Sequence, residues 1–255
     1  MRDANSKQKT QQDYWNARAR TFPRFEEGEQ TYEAGMLRRI TEAGVEFSGK
    51  SVLDVGSGSG MYTLRLARMA QSVMALDVSD EMLRLLQRDA AAMGIDNIVT
   101  VHSSWDDFDA NRCFDIVFAS MTPAIDSDEN REKLMRFASG WVVFMGFARH
   151  MPSNIMQGLY EHYNITPKAF SDAQDMRCWL ETKGIAYSAI PVAGQWVTPK
   201  SRKDIVDLCL TTLRGYGIDP DPDFIAAHAK AFRDKDGQYA ERTEYNIEII
   251  LWQNR

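Results

Sequence analysis

The chain has 255 residues, 44% of them hydrophobic, and a formal net charge of −6. This length and apolar content suffice for one α/β domain with additions and argue against a disordered chain. The acidic balance disfavours a protein that binds nucleic-acid phosphates, because such proteins concentrate Lys and Arg on one face. The three cysteines have no paired spacing, so they predict neither a disulfide framework nor a zinc site.

Residues 1–44 are predicted to form a helical segment that docks on, or covers, the rest of the chain. Residues 5–20 are polar and helix-like and carry the aromatic pair Tyr14-Trp15 in their middle. Residues 29–43 form a second predicted helix, which Gly44 ends. The N-terminus has no apolar signal-peptide core, and no apolar run reaches the length of a membrane helix. We therefore expect a cytoplasmic protein without a membrane partner.

A glycine-rich turn follows the first predicted strand. Residues 51–55 are apolar, glycines occupy positions 56, 58 and 60, and residues 61–70 have a helical pattern. Open α/β sheets bind ligands at such a turn, outside the carboxyl ends of their strands. Glycine suits it because the backbone can adopt a left-handed conformation and a ligand can sit where a Cβ would be. A dinucleotide fingerprint would have glycine where this chain has Met61, and Asp54 would repel a pyrophosphate but attract an ammonium group.

Strands and helices then alternate up to residue 147. Asp77 ends the second strand, 23 positions after Asp54, where a carboxylate can accept two hydrogen bonds from a ribose. The alternation predicts a parallel sheet that is covered by helices on both faces. The predicted strands are 72–77, 98–102, 114–119 and 141–147, and the helices between them are 79–93 and 127–138.

Beyond Ala148 the pattern changes to two helical inserts, at about 149–184 and 199–236, and two further strands. The aromatic residues of the inserts suit either a pocket for a small organic molecule or ordinary packing on the sheet. These residues are Tyr160, His162, Tyr163, Phe170, Trp179, Tyr216 and Phe224. The predicted helices are 152–163, 171–182, 201–214 and about 220–232, and the predicted strands are 185–192 and 243–252.

The pattern Asp-x-Gly-x-Gly-x-Gly at residues 54–60, with Asp77, resembles the first motif of the class I S-adenosylmethionine-dependent methyltransferases. The resemblance implies a three-layer, Rossmann-like α/β fold with a mostly parallel seven-stranded sheet and an antiparallel last strand. It implies that residues 45–255 bind S-adenosylmethionine and that residues 1–44 cover it. In this family the turn cradles the amino-acid end of S-adenosylmethionine, the preceding acid binds the amino group, and the strand-end acid binds the ribose.

The resemblance also implies a set of binding residues. Where the family often has an Asp that accepts from the adenine amine, this chain has Ser103, so Ser103, Ser104, Trp105 or Asp106 are the alternatives. Val78 and Met82 offer an apolar surface to the adenine, although Met82 equally suits the core. The predicted cofactor-binding residues are Asp54, Gly56, Ser57, Gly58, Gly60, Asp77, Val78, Met82, Ser104, Trp105 and Ala119.

The implied activity is in-line methyl transfer to a small organic molecule, with no metal and no nucleic acid involved. The protein then has mainly to align nucleophile, methyl carbon and sulfur. The sequence dictates no catalytic residue. The candidates for orienting or deprotonating the acceptor are His102, Ser120, His150, His162 and Tyr163. Two alternatives stay open: an NAD-dependent oxidoreductase, and a module that binds S-adenosylmethionine without catalysis.

Overall fold

A computed structural model describes residues 2–149, 151, 153–167 and 172–254. His150, Pro152, Phe170 and Ser171, which belong to the sequence predictions, lie outside the described residues. The helices are α1 (Arg2–Ala19), α2 (Tyr32–Glu42), α3 (Thr63–Met69), α4 (Asp80–Ala92), α5 (Asp128–Phe137), α6 (Asn154–His162), α7 (Asp172–Thr182), α8 (Arg202–Gly215) and α9 (Pro222–Lys230). The strands are β1 (Ser51–Val55), β2 (Ser72–Asp77), β3 (Ile98–His102), β4 (Phe114–Ser120), β5 (Ala138–Phe147), β6 (Ser188–Lys200) and β7 (Tyr239–Gln253).

The strands form one seven-stranded sheet in the order β3-β2-β1-β4-β5-β7-β6. The first five of these pair in parallel. The Asn254 N–H donates to the Gly140 carbonyl at 2.8 Å, and the Ala148 N–H donates to the Asn246 carbonyl at 2.9 Å. Partner numbers on β7 therefore fall as β5 advances, so β7 runs antiparallel to β5. The predicted Rossmann-like α/β fold with a mostly parallel sheet is confirmed.

The predicted first and last residues of the elements agree best with the structure where a local sequence pattern sets them. β1, β2 and β3 have the predicted bounds. α2 begins at Tyr32 rather than at residue 29, because the Thr31 hydroxyl accepts from the Ala34 N–H and caps the helix there. β6 continues past residue 192, although Gly194 interrupts its pattern. A Cβ at Gly194 would lie 2.3 Å from the Tyr245 hydroxyl oxygen, so this glycine makes room for an aromatic side chain.

The chain divides into two compact units. The first comprises Met1–Gly146, Ala173–Ile190 and Ile249–Arg255, and the second comprises Phe147–Asp172 and Pro191–Glu248. Aromatic side chains such as Phe114 and Trp252 fill the core of the first unit, to which α7 also contributes Trp179. The core of the second unit consists of apolar residues of α6, α8 and α9. None of the described helices combines the length and the apolar character that crossing a membrane requires.

β1 lies in the middle of the parallel part of the sheet. It pairs with β2 on one side and with β4 on the other, and the chain leaves it first toward β2 and later toward β4. Such a reversal of strand order opens a crevice at the carboxyl ends of the strands. The glycine turn after Val55 lies at this crevice.

Candidate active site

A cleft in the first unit opens where β1, β2 and β4 end. Nine of the eleven predicted cofactor-binding residues line it, and Gly60 and Ala119 do not. Ala119 lies fully buried in the core. The residues in the cleft wall are Asp54, Gly56, Ser57, Gly58, Asp77, Val78, Met82, Ser104 and Trp105. Their roles in binding stay predictions, but the fold brings these nine residues together.

The backbone conformation of the turn requires glycine at positions 56 and 58. Gly56 has φ +73° and Gly58 has φ +54°, which are left-handed conformations that favour glycine. The N–H groups of Gly56 and Ser57 both donate to the Leu76 carbonyl, at 2.8 and 3.0 Å. A Cβ on Gly56 would lie 2.3 Å from the Thr122 Oγ1, so the loop after β4 can approach the turn only because this residue is glycine.

Gly60 does not line the cleft but permits close packing behind the turn. It has φ +91°, and a Cβ there would lie 2.3 Å from the Leu86 Cδ1. Leu86 is fully buried on α4, in the cluster that packs this helix against β2. The third glycine of the motif therefore lets the start of α3 lie close to α4.

Asp54 is a buried carboxyl at the floor of the cleft. Only 2% of its surface is exposed, and its Oδ2 accepts from the Thr63 hydroxyl at 2.6 Å. Burial raises the pKa of Asp54 to about 7, while the Thr63 hydrogen bond lowers it and the nearby Asp77 raises it further. Among the described residues that line the cleft there is no Lys, Arg or His. Asp54 thus lacks a cationic neighbour in the cleft wall, and a ligand ammonium would favour its ionised form.

Asp77 joins the end of β2 to the glycine turn. Its Oδ2 accepts from the Gly58 N–H and its Oδ1 from the Ser79 N–H, both at 2.8 Å. Burial raises the pKa of Asp77, whereas these two backbone donors and the nearby His102 lower it. Each carboxylate oxygen has a further lone pair. The side chain can therefore hold the turn and still accept from the two hydroxyls of a ribose.

The segment after β3 contains the residues that were predicted to accept a hydrogen bond from the adenine amine, and their contacts differ. The Ser104 hydroxyl donates to the Asp107 Oδ2 at 2.8 Å and accepts from the Asp107 N–H, so it stabilises a local turn. The Trp105 indole is buried, and its Nε1–H donates to the Asn130 carbonyl at 3.1 Å. Asp106 also lines the cleft, is exposed, and accepts from the Asn130 Nδ2 at 3.0 Å. Its carboxylate is the acceptor that this segment offers most openly.

The N-terminal helix α1 reaches the same cleft. Trp15 and Phe22 line the cleft, with their rings edge to face at 6.1 Å, while Tyr14 is 55% exposed. Asn16 anchors the helix at the start of α4, because its Oδ1 accepts from the Ser79 hydroxyl at 2.6 Å and its Nδ2 donates to Asp80 at 2.9 Å. The helix therefore docks on the start of α4 and places Trp15 in the cleft wall, and its covering of a bound nucleoside stays a prediction.

Tyr62 and the loop after β4 form another part of the cleft wall. Tyr62 lies two residues after Gly60, lines the cleft and packs on Phe118 at 5.3 Å between ring centroids. Ser120 ends β4, and Met121 has φ +47°, an uncommon value for a residue with a side chain. The Met121 N–H donates to the Met145 carbonyl at 2.8 Å, which holds this bend in place. Tyr62 is not among the residues predicted from the sequence, although its position two residues after Gly60 was a usable signal.

Of the described candidates for orienting or deprotonating the acceptor, Ser120 lines the cleft, whereas His102, His162 and Tyr163 do not. The His102 Nε2 contacts the Val78 carbonyl at 3.0 Å and the Gln12 side chain at 3.1 Å, and His102 does not line the cleft. His162 and Tyr163 belong to the second unit, where the His162 ring stacks on Phe224 at 4.6 Å. Within the described parts of the chain, no group of three or more His, Cys, Asp or Glu side chains is arranged to hold a metal ion.

Comparisons with known proteins agree with this architecture. Residues 52–142 match the model of a methyltransferase domain family. An uncharacterized protein from Haemophilus influenzae is 37% identical over 87 residues, which cover 33% of this chain and 32% of that protein. The matched stretch thus spans about a third of the relative's length.

Two solved structures share the fold over most of their length. The YcgJ protein from Bacillus subtilis has a TM-score of 0.55 and 17% identity, covering 87% of this chain and 98% of that one. Magnesium protoporphyrin IX methyltransferase from Synechocystis PCC 6803, with bound SAH, has a TM-score of 0.53 and 13% identity, covering 94% and 98%. The match assigns residues 52–142 to a methyltransferase domain family, and the two solved structures show that the chain shares their fold.

Proposed function

We propose that the chain transfers a methyl group from S-adenosylmethionine to a small organic acceptor. The observation that carries the proposal is the pair of buried carboxyls, Asp54 and Asp77, at the ends of two adjacent parallel strands on either side of the glycine turn. A zwitterionic nucleoside needs two such groups, one for its ammonium and one for its ribose.

Different residues of the cleft match the amino group, the ribose and the adenine of S-adenosylmethionine. Asp54 would bind the amino group, Asp77 the ribose hydroxyls, and Val78 and Met82 the face of the adenine. When bound, S-adenosylmethionine supplies a methyl group that its sulfonium already activates. The protein has to orient the acceptor and exclude water, and Trp15 and Phe22 suit the second task because they add apolar surface to the cleft wall.

The two alternative functions, an NAD-dependent oxidoreductase and a module that binds S-adenosylmethionine without catalysis, agree less well with these residues. A pyrophosphate at the turn would lie near Asp54 and Asp77, and no cationic side chain among the described residues in the cleft wall would offset the repulsion. A module that only binds S-adenosylmethionine would have no use for further hydroxyls in the cleft wall, such as those of Tyr62 and Ser120. A small-molecule partner is part of the proposal, and the cytoplasmic location stays a prediction from the sequence.

Titration of the purified chain by calorimetry tests the proposal. S-adenosylhomocysteine, the product nucleoside, is expected to bind with one site per chain, and NADH is expected to give no heat of binding. If NADH bound and S-adenosylhomocysteine did not, the cleft would belong to a dinucleotide and the proposal would be wrong.

We also propose that residues 1–44 cover the bound nucleoside through Trp15. Trp15→Ala is expected to weaken binding of S-adenosylhomocysteine by about tenfold, because an apolar ring in the cleft wall is lost. Tyr14→Ala is the matched control, since it removes a neighbouring but exposed ring from the same helix. Equal affinities of the two variants in calorimetry would show that α1 docks without covering the site.

A further inference from the structure

Three hydroxyls in the cleft wall are buried. They are Ser57 Oγ, Tyr62 Oη and Ser120 Oγ, and none of them has a partner at normal hydrogen-bond geometry among the described residues. Tyr62 is only 6% exposed and Ser57 8%. Leaving a buried hydroxyl unpaired is unfavourable, so a molecule in the cleft that offers a donor or acceptor would gain affinity.

Tyr62 and Ser120 form a pair within this set. The Ser120 and Tyr32 hydroxyls both lie near the Tyr62 phenol, since hydrogen bonding to each of them affects its pKa. Burial raises the pKa of Tyr62 well above its usual value, so the phenol stays protonated and is not a base. The position of Ser120 is set by its pairing with Met145 and by the bend at Met121. Both hydroxyls can therefore donate and accept hydrogen bonds from fixed positions.

The charges around the cleft are all of one sign. The ionisable carboxyl side chains in its wall are Asp54, Asp77, Asp106 and Asp126, and the described wall residues include no Lys, Arg or His. Lys133 approaches this region, but its ammonium donates to the carbonyls of Trp105 and Asp106 and it is not a wall residue. An anionic acceptor would enter the cleft without a counter-charge from the protein and beside several carboxyls, which is unfavourable.

Of the four carboxyls, Asp126 remains after the nucleoside is assigned, because Asp106 is the acceptor offered to the adenine amine. Asp106 and Asp126 both accept from the Nδ2 of the buried Asn130, at 3.0 and 3.1 Å, so one amide fixes both. A carboxylate such as that of Asp126 favours a group that is cationic or that becomes cationic.

From these observations we propose that the methyl acceptor is an amine, and that the hydroxyls of Tyr62 and Ser120 orient its nitrogen. The inference rests on the proposed function and specifies the class of substrate. An amine N–H can donate to either hydroxyl, which leaves the nitrogen lone pair to point at the methyl group.

The charges of the reaction balance without a protein base. An ammonium acceptor first gives its proton to water, and the uncharged nitrogen then forms the N–C bond with its lone pair. The C–S bond breaks and its electrons stay on sulfur, so the positive charge passes from sulfur to nitrogen. The carboxylates of the cleft favour this product charge.

The test uses the whole chain, saturated with S-adenosylhomocysteine, and two series of matched probes. One series is 2-phenylethylamine, 2-phenylethanol and 3-phenylpropanoate, and the other is hexylamine, hexanol and hexanoate. The amines are expected to raise the thermal unfolding temperature more than their alcohol and carboxylate counterparts. With S-adenosylmethionine instead, mass spectrometry is expected to detect N-methylated product from the amines.

Variants then test the two hydroxyls. Tyr62→Phe and Ser120→Ala are each expected to lower kcat/KM for the best amine by about tenfold, the effect of one lost hydrogen bond. Their affinity for S-adenosylhomocysteine is expected to stay within about twofold. Tyr187→Phe is the control, because it also removes a phenol hydroxyl, one that donates to Glu181 away from the cleft wall.

The outcomes separate the two proposals. Failure of S-adenosylhomocysteine to bind would overturn the proposed function, and this inference with it. Binding of S-adenosylhomocysteine with no preference for amines, including no response to any probe, would overturn the amine assignment alone. Unchanged kcat/KM in both Tyr62→Phe and Ser120→Ala would overturn the role of the hydroxyls.

Discussion

Asp77→Asn is expected to weaken binding of S-adenosylhomocysteine by about tenfold or more. Asparagine has the same shape, but its NH₂ would face either the Gly58 or the Ser79 N–H, and both of these now donate to the carboxylate. The variant would lose one of these bonds, the charge, and one acceptor for a ribose hydroxyl. Hydrogen bonds to charged groups contribute about 1.5–3 kcal/mol each, which is at least tenfold in affinity. Calorimetric titration measures the loss.

Asp115→Asn provides the matched control for this experiment. Asp115 is also a strand carboxylate that accepts from backbone, since its Oδ2 accepts from the Ser51 N–H at 2.8 Å and from the Ser51 hydroxyl at 2.7 Å. It lies near the start of β4, at the opposite end of the strands from the cleft. We expect its affinity for S-adenosylhomocysteine to match the wild type. If Asp77→Asn also bound as the wild type does, the assignment of Asp77 to the ribose would be wrong.

The affinity for S-adenosylhomocysteine is expected to rise with pH between about pH 6 and pH 8. The pKa of Asp54 is about 7 in the free protein because of burial. Below this value Asp54 is mostly protonated, and it must lose its proton to bind an ammonium group as a carboxylate. Asp77 is the charged group close to Asp54, and it is present in both proteins compared in this experiment. Calorimetry in buffers with different ionisation enthalpies is expected to show proton release on binding at pH 6.

The variant Asp54→Asn isolates this group. It is expected to bind S-adenosylhomocysteine about tenfold more weakly at pH 8 and to lose most of the pH dependence, since the amide does not titrate.

Unfolding without ligand gives an independent check of the pKa of Asp54. Because folding raises the pKa of Asp54, its contribution to stability is full below the unfolded pKa and is lost as pH rises through about 7. The free energy of unfolding should therefore fall more between pH 5 and pH 8 in the wild type than in Asp54→Asn. An equal fall, with unchanged pH dependence of binding, would contradict the role of Asp54.

Local patterns in the sequence were sufficient for the parallel part of the sheet and for the glycine turn. β1 and β2 are short, apolar and bounded by turn residues, so their bounds follow from the chain itself. The conformations of Gly56 and Gly58 and the neighbouring position of Asp54 are properties of a few consecutive residues. Asp77 follows from the same logic, because adjacent parallel strands end at one edge of a sheet.

The sequence did not predict that the side chains of Phe22 and Asp126 reach the cleft. Phe22 arrives from the N-terminal segment, and Asp126 comes from the loop before α5. The role of Gly60 depends on Leu86, 26 positions further along the chain. Apolar periodicity indicates that a side chain is buried, but not what it is buried against.

What the sequence alone determined about this protein is the class of fold, the turn and the two carboxyls that flank it, because each is set by neighbouring residues and by the rules of parallel sheets. Only the tertiary structure decided that the Tyr62 and Ser120 hydroxyls share a wall with carboxylates, and that His162 and Tyr163 pack in the second unit. The reason is that such juxtapositions depend on packing between segments far apart in the chain, and packing is a property of complementary surfaces rather than of any local pattern.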